Sequence, residues 1–238
     1  MTKHNIVIIY DEKNINGKDR GQRMFDALTY QIMLEEINRN AREKGLINDS
    51  IGILITRPEL PTGKDILKGL EYYHFRTGKS VNFYLPGYGA YWNNDYPDSK
   101  IVTTIDNVNW LFSNRMFALF IEDLEKYSSW QYSGESELLL IGLKEGILSY
   151  ENVMQFYLDQ MIRDGVIYSI HQFFENLFRI CKDKASMGQI SNTFGMNKVK
   201  QVSLNEKYGK KKDFCPYCGE KVDGDFEFCP KCGKKLNK

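Results

Sequence analysis

Four cysteines stand in two matching runs, Cys215-Pro-Tyr-Cys218-Gly219 and Cys229-Pro-Lys-Cys232-Gly233, with ten residues between Cys218 and Cys229. Two thiolates on one tight turn can face a single cation, and two such turns supply the four corners of a tetrahedron. Zn²⁺ takes that coordination in a closed structural site, with Zn–S near ~2.3 Å. The glycine after each second cysteine suits the turn, because a residue without Cβ takes positive φ at no steric cost. So short a segment cannot fold on apolar contacts alone, and a bound metal supplies the missing free energy. Cys215, Cys218, Cys229 and Cys232 are therefore the expected ligands of one structural Zn²⁺ per chain, with Phe214, Tyr217, Phe226 and Phe228 packed around it.

With both knuckles intact, the segment 213–238 resembles the small zinc ribbons found at the ends of many prokaryotic proteins. The resemblance implies zinc, together with one of three uses: docking a protein partner, contacting nucleic acid, or capping the chain. Charge bears on the choice. From Met196 to Lys238 eleven lysines and no arginine face six acids, a net +5, whereas the whole chain carries only +1. A zinc tetrathiolate brings a formal charge of −2, which leaves the tail at about +3. That is a modest basic appendage whose lysines can meet a few phosphates as salt-sensitive point charges, without the arginines that read bases.

The chain has 238 residues, enough for one generous domain plus a small appendage, and its 42% hydrophobic and 13% aromatic content supplies a core. Four of its five cysteines are in CxxC pairs, which reads as metal binding and not as a disulfide framework. Cys181 stands alone in an apolar helical stretch and is expected to be a buried, inert thiol. No apolar run reaches the ~18 residues of a membrane span, and the N-terminal run is too short for a signal-peptide core. A cytoplasmic protein with reduced thiols is expected.

Along the chain, Ile6-Val-Ile-Ile-Tyr10 reads as a strand, 21–44 as a long amphipathic helix ended by Gly45, and 51–56 as a second strand. A loop over 57–64, a helix over 65–76 and a strand over 81–85 follow. Strand and helix alternating at this spacing imply an α/β body, an open and mostly parallel sheet flanked by helices. Further on, 101–105 and 137–143 read as strands and 110–127 as a helix, and a C-terminal helical pair is expected at 150–163 and 167–181. Residues 185–212 are rich in Ser, Asn, Gly and Lys and read as a linker. The expected division is an α/β body over 1–184, a linker over 185–212 and the Cys₄ ribbon over 213–238.

In open parallel sheets, ligands bind beyond the strand C-termini. That rule selects Asp11 and Glu12, then Arg57 and Lys64, then Gly87, Tyr88, Gly89, Tyr91 and Trp92. Together they offer carboxylates, a cation pair, backbone that a ligand can approach closely, and aromatic faces, the set a nucleotide-like or other small polar ligand uses. Each also has a plainer use: a strand-end turn for Asp11 and Glu12, a helix cap at Thr62 or Asp65, a tight turn and core packing for Gly87 to Gly89. Trp130-Gln-Tyr-Ser-Gly-Glu135 is a candidate second wall of the pocket. The run Gly63-Lys-Asp-Ile-Leu-Lys-Gly-Leu-Glu71 through Gly78-Lys-Ser-Val81 resembles nucleoside deoxyribosyltransferases and TIR-type NAD hydrolases, in which a helix Glu precedes such a strand. The resemblance implies that Glu71 acts on a sugar.

These readings combine into a zinc-ribbon protein whose body binds a nucleotide-like ligand, with nucleotide- or N-glycoside-directed hydrolysis by Asp11, Glu12 or Glu71 as the enzymatic form. The competing readings are a non-catalytic adaptor and a nucleic-acid-binding protein that acts through the ribbon. Aromatics at helical spacing over 150–181 (Phe156, Tyr157, Tyr168, Phe173, Phe174, Phe178) suit either a core or a homodimer seam.

Overall fold

The computed structural model describes residues 28–44, 50–76, 81–90, 96–105, 107–126, 128, 130–144, 147–182, 199–202, 213–214, 221–222 and 227–235. The strand expected at 6–10 lies outside these residues.

Helix α1 (Tyr30–Lys44) begins where Thr29 caps it, Thr29 Oγ1 accepting the Ile32 N–H at 3.1 Å. The chain at 28–29 is not helical, so the expectation of one unbroken helix from about residue 21 is corrected. Strand β1 (Ser50–Ile55), helix α2 (Pro61–Arg76) and strand β2 (Val81–Tyr84) then form a βαβ unit with β1 and β2 parallel. Helix α2 starts four residues before the expected position, with Pro61 opening it. A proline's fixed φ suits that position, and its missing N–H would have had no partner there.

Next, β3 (Tyr88–Gly89), β4 (Lys100–Ile105) and β5 (Val108–Phe112) make a small antiparallel sheet in the order β3-β5-β4. Residues 110–112 were expected to open a helix and are strand instead, part of β5, which turns back on β4 through Asn107 at φ 60°. Helix α3 (Asn114–Lys126) starts only after Ser113, whose Oγ accepts the Met116 N–H at 3.1 Å. Asp98 adds a second cap, accepting the Arg115 N–H at 3.0 Å. A doubly capped first turn is a firm helix boundary.

Strands β6 (Glu137–Lys144) and β7 (Ile147–Tyr157) form a long hairpin, followed by helices α4 (Leu158–Arg163) and α5 (Ile170–Lys182). The expected helix over 150–163 is thus strand up to Tyr157, and the C-terminal helical pair reduces to a six-residue turn of helix and α5. Strand β8 (Val199–Val202) falls in the stretch expected to be a linker and pairs with β7. The main sheet has the order β2-β1-β6-β7-β8. Only β1 and β2 run parallel among its described strands, so the expectation of a mostly parallel sheet is corrected to a mixed one. The chain leaves α3 at the C-terminal end of β1 and enters the sheet from there, which makes β6 antiparallel to β1.

Helices cover both faces, so the α/β class stands. One face carries Phe83, Leu138 and Phe156, with Phe173, Phe174 and Phe178 of α5 and Tyr73 of α2 packed against them. Tyr73 and Phe174 lie 4.7 Å apart between centroids. Burial pushes the Tyr73 hydroxyl pKa up to about 12. The opposite face carries Glu137, Leu139 and Gln155, covered by α3 and residues 130–136. Cys181 is half-buried, and burial pushes its thiol pKa up to about 11, which keeps it protonated and unreactive near neutrality. No helix among the described residues is long and apolar enough to cross a membrane.

The proposed dimer seam draws no support from this packing. Phe156, Phe173, Phe174 and Phe178 are all under 4% exposed, whereas Tyr168 is 88% exposed. Truncating Phe174 to Ala should therefore lower the unfolding free energy by about 3–5 kcal/mol in urea titration. Tyr168→Ala should stay within about 0.5 kcal/mol of the parent.

Candidate functional sites at the strand-end edge and in the cysteine ribbon

Register gathers the polar residues at one edge of the main sheet. Ile55 of β1 lies opposite Glu137 of β6, which lies opposite Tyr157 of β7, so one edge holds the end of β1, the start of β6 and the start of α4. Thr56 and Ser136 share a buried hydroxyl–hydroxyl hydrogen bond of 2.7 Å. The Ser136 N–H donates to Asp159 at 2.6 Å, and the Thr62 hydroxyl donates to the other oxygen of the same carboxylate. These bonds tie α2, β1, β6 and α4 together. Gly63 completes the clasp by close approach: a Cβ there would stand 2.0 Å from the Arg57 carbonyl oxygen.

On the opposite face, the fully buried Glu137 accepts three hydrogen bonds, from Trp130 Nε1 at 3.1 Å, the Ser133 N–H at 2.8 Å and Gln155 Nε2 at 2.6 Å. Burial pushes its pKa up, and the three donors pull the other way without overcoming it. Tyr132 lies in the same wall, its hydroxyl pKa pushed above the usual tyrosine value by burial, with Arg57 nearby acting against the shift.

Of the residues expected to share a ligand, Arg57, Lys64, Glu71 and Gly87 to Gly89 are described. Arg57 stands at the edge but is half-buried, reaching Asn114 Oδ1 at 3.4 Å, with Glu59 at 3.8 Å from its Nε. Lys64 is exposed on the first turn of α2, and neither Thr62 nor Asp65 caps that helix, since the Lys64 N–H bonds back to the Leu60 carbonyl. Glu71 is exposed on α2, about 15 Å along the axis from Pro61 at 1.5 Å per residue. Gly87, Tyr88 and Gly89 are buried. The Tyr88 hydroxyl donates to the Thr56 carbonyl at 3.2 Å, and its ring packs 4.7 Å from Phe112. Gly87 makes the turn before β3, at φ 77°, and its carbonyl accepts the Ser113 N–H. Trp130 and Tyr132 are core, not a pocket wall. Asp11, Glu12, Tyr91 and Trp92 lie outside the described residues.

Glu137, Gln155 and Asp159 were not selected from the sequence. A charged residue opening the run Glu137-Leu-Leu-Leu-Ile141 was the available signal, since a carboxylate so placed must find partners or stay at the surface. The edge as described is a structural clasp: Glu137, Asp159 and Asp98 each accept from protein donors.

In the ribbon, β9 (Asp213–Phe214) pairs antiparallel with β10 (Lys221–Val222), so Cys215 and Cys218 fall in the connection, outside the described residues. The second knuckle is described. Phe228 bridges Lys235 across the hairpin, the Cys229 N–H donates to the Lys234 carbonyl at 2.9 Å, and the Gly233 N–H donates to the Cys229 carbonyl at 2.8 Å. Gly233 has φ 68°, the left-handed conformation its position in the motif calls for. Cys229 is buried and Cys232 exposed. This compact reversal between two cysteines fits a zinc knuckle, and thiolates are the donors zinc takes in structural sites.

Two substitutions test the clasp. Gly63→Ala should destabilise by about 2–3 kcal/mol, read from the urea midpoint, because backbone must move to admit the methyl group. The folded pKa of Glu137 lies above the ordinary 4.5, so the cost of its buried charge is present above the folded pKa and vanishes as pH falls to 4.5. Relative to Glu137→Gln, the parent should therefore gain stability as urea titrations move from pH 8 to pH 4.5. A pH-independent difference would show that the carboxyl does not titrate in this way.

Comparison with known proteins agrees with the cysteine geometry. No curated protein and no solved structure shows significant similarity to the chain. The model of one family, described as a zinc-ribbon domain, matches residues 214–236. Residues 214–236 are thus a zinc-ribbon segment, a family that implies zinc binding.

Proposed function

We propose that this chain is a zinc-dependent interaction protein in which Cys215, Cys218, Cys229 and Cys232 hold one structural Zn²⁺. The α/β body, divided from the ribbon near residue 213, acts as its scaffold. The observation that carries this reading is the second knuckle. Its hairpin presents Phe228, 52% exposed, beside exposed Lys231, Lys234 and Lys235. An exposed ring among lysines suits single-stranded nucleic acid, with a base stacked on the ring and phosphates met by ammonium groups. Sequence-independent contact is the expected mode, since lysine acts on phosphate as a point charge. The nucleotide-like ligand and the hydrolysis expected at the strand edge draw no support from the described residues, where the carboxylates accept from internal donors.

The test is fluorescence anisotropy of a labelled single-stranded oligonucleotide with the full chain, alongside native mass spectrometry for zinc. One zinc per chain is expected. Binding should weaken with salt with a log–log slope of about −2, near −0.7 for each of three phosphate contacts. Phe228→Ala should cost about 1–3 kcal/mol of binding, and chelation should abolish it. A zinc-loaded chain that does not bind at 50 mM salt would overturn the nucleic-acid assignment and leave protein docking as the ribbon's use. Absence of zinc in protein kept from chelators and oxidants would overturn the reading entirely.

A further inference from the structure

Strand β9 opens the cysteine ribbon, yet it does not stand apart from the body. Its backbone lies within 8 Å of helix α3, Cα to Cα, a distance at which packed elements meet. The chain arrives there from β8, which pairs with β7 and is outermost among the described strands of the main sheet. Ten residues, 203–212, join Val202 to Asp213. Fully extended they reach about 40 Å, and a connection this short holds its two ends at an effective concentration on the order of millimolar. A contact between β9 and α3 therefore needs only a modest intrinsic affinity to be populated.

We propose that α3 is the docking surface of the ribbon and that β9 is a latch set by the metal, a coupling of ribbon to body that rests on the zinc reading above. Phe214, the second residue of β9, pairs with Lys221 of β10 and is followed at once by Cys215. The strand that meets α3 thus leads directly into the first knuckle. A ladder of two residues per strand is far below what holds a hairpin in water by itself. Tying Cys215 and Cys218 to Cys229 and Cys232 through one ion fixes β9 and β10 in place. With the thiols unliganded, β9 has neither a core nor a stable partner strand, and its hold on α3 is lost.

The exposed residues agree on which side of the ribbon docks. Phe228, Lys231, Lys234 and Lys235 of the second knuckle are exposed while β9 lies against α3. The ribbon is carried by its first hairpin and presents the second. Helix α3 is a firm support, because Phe117, Phe120, Ile121 and Leu124 anchor it in the core and Ser113 and Asp98 cap its first turn. A docked ribbon keeps its second knuckle in one orientation on the body, whereas a released one is joined to it only through residues 203–212.

The test is hydrogen exchange of the full chain, zinc-loaded and after chelation, with native mass spectrometry counting zinc in each sample. Amides of α3 should exchange about tenfold faster without zinc. Those of α5, on the opposite face of the sheet, should be unchanged. Phe214→Ser alters the latch and no ligand, and should raise α3 exchange to the same level in protein that still holds one zinc. A chain that binds zinc but shows the same α3 exchange with and without it would overturn the latch and leave the zinc ribbon standing. So would Phe214→Ser protein that keeps both its zinc and the parental protection of α3. A chain without zinc would overturn the latch and the zinc reading together.

Discussion

Strand β6 runs through the centre of the main sheet, paired to β1 on one side and β7 on the other, and Leu138, Leu139, Leu140 and Ile141 along it are fully buried. Side chains on both faces of this strand meet helices or loops, so its near-continuous apolar run is required. Its direction has the larger consequence. Because β6 is antiparallel to β1, its first residues arrive where β1 ends, and Ser136 and Glu137 meet Thr56, Thr62 and Asp159 at one edge. The clasp there follows from the strand's polarity together with its register.

The same burial decides what that edge does. A carboxylate taken out of water must be neutralised or hydrogen-bonded. Glu137 meets the demand with three N–H donors, and Asp159 with a hydroxyl and an amide. Groups held in this way have their hydrogen-bonding capacity largely taken up inside the protein. Exposed cations and an exposed ring lie elsewhere, on the second knuckle of the ribbon, where Phe228 stands beside Lys231, Lys234 and Lys235.

The body and the ribbon are stabilised by different physics. The body buries aromatic clusters such as Tyr73, Phe83, Phe174 and Phe178 between α2, β2 and α5. Among its described residues the ribbon has one hairpin of two residues per side and a single bridge between Phe228 and Lys235, too small for a core of their own, so a ribbon of this kind relies on thiolate coordination. Loss of metal is expected to unfold the second while leaving the first intact.

The sequence by itself determined what is local. The CxxCG runs declare the knuckles because ligand spacing and the glycine turn lie within five residues. The parallel β1–α2–β2 unit was legible because hydrophobic period, strand length and connection length are all short-range. The strands at 100–105 and 137–144 were found for the same reason, and only their partners were missing. Tertiary structure alone decided the rest. Residues 110–112 and 150–157 read as helix because apolar runs buried on both faces, as at 110–112 and 153–156, lose the alternation that marks a strand, and only pairing with β4 and with β6 makes them strands. The aromatics over 150–181 suited either a core or a seam until their neighbours were placed. Tyr88 was drawn toward a ligand by its aromatic surroundings and in the fold is buried against Phe112. Strand direction, and with it the meeting of Glu137 and Asp159 with the end of β1, depends on contacts between residues some 80 to 100 positions apart, such as Thr56 with Ser136 and Thr62 with Asp159. Periodicity and composition carry no information at that range, because the free energy that selects such a pairing comes from burying both partners together.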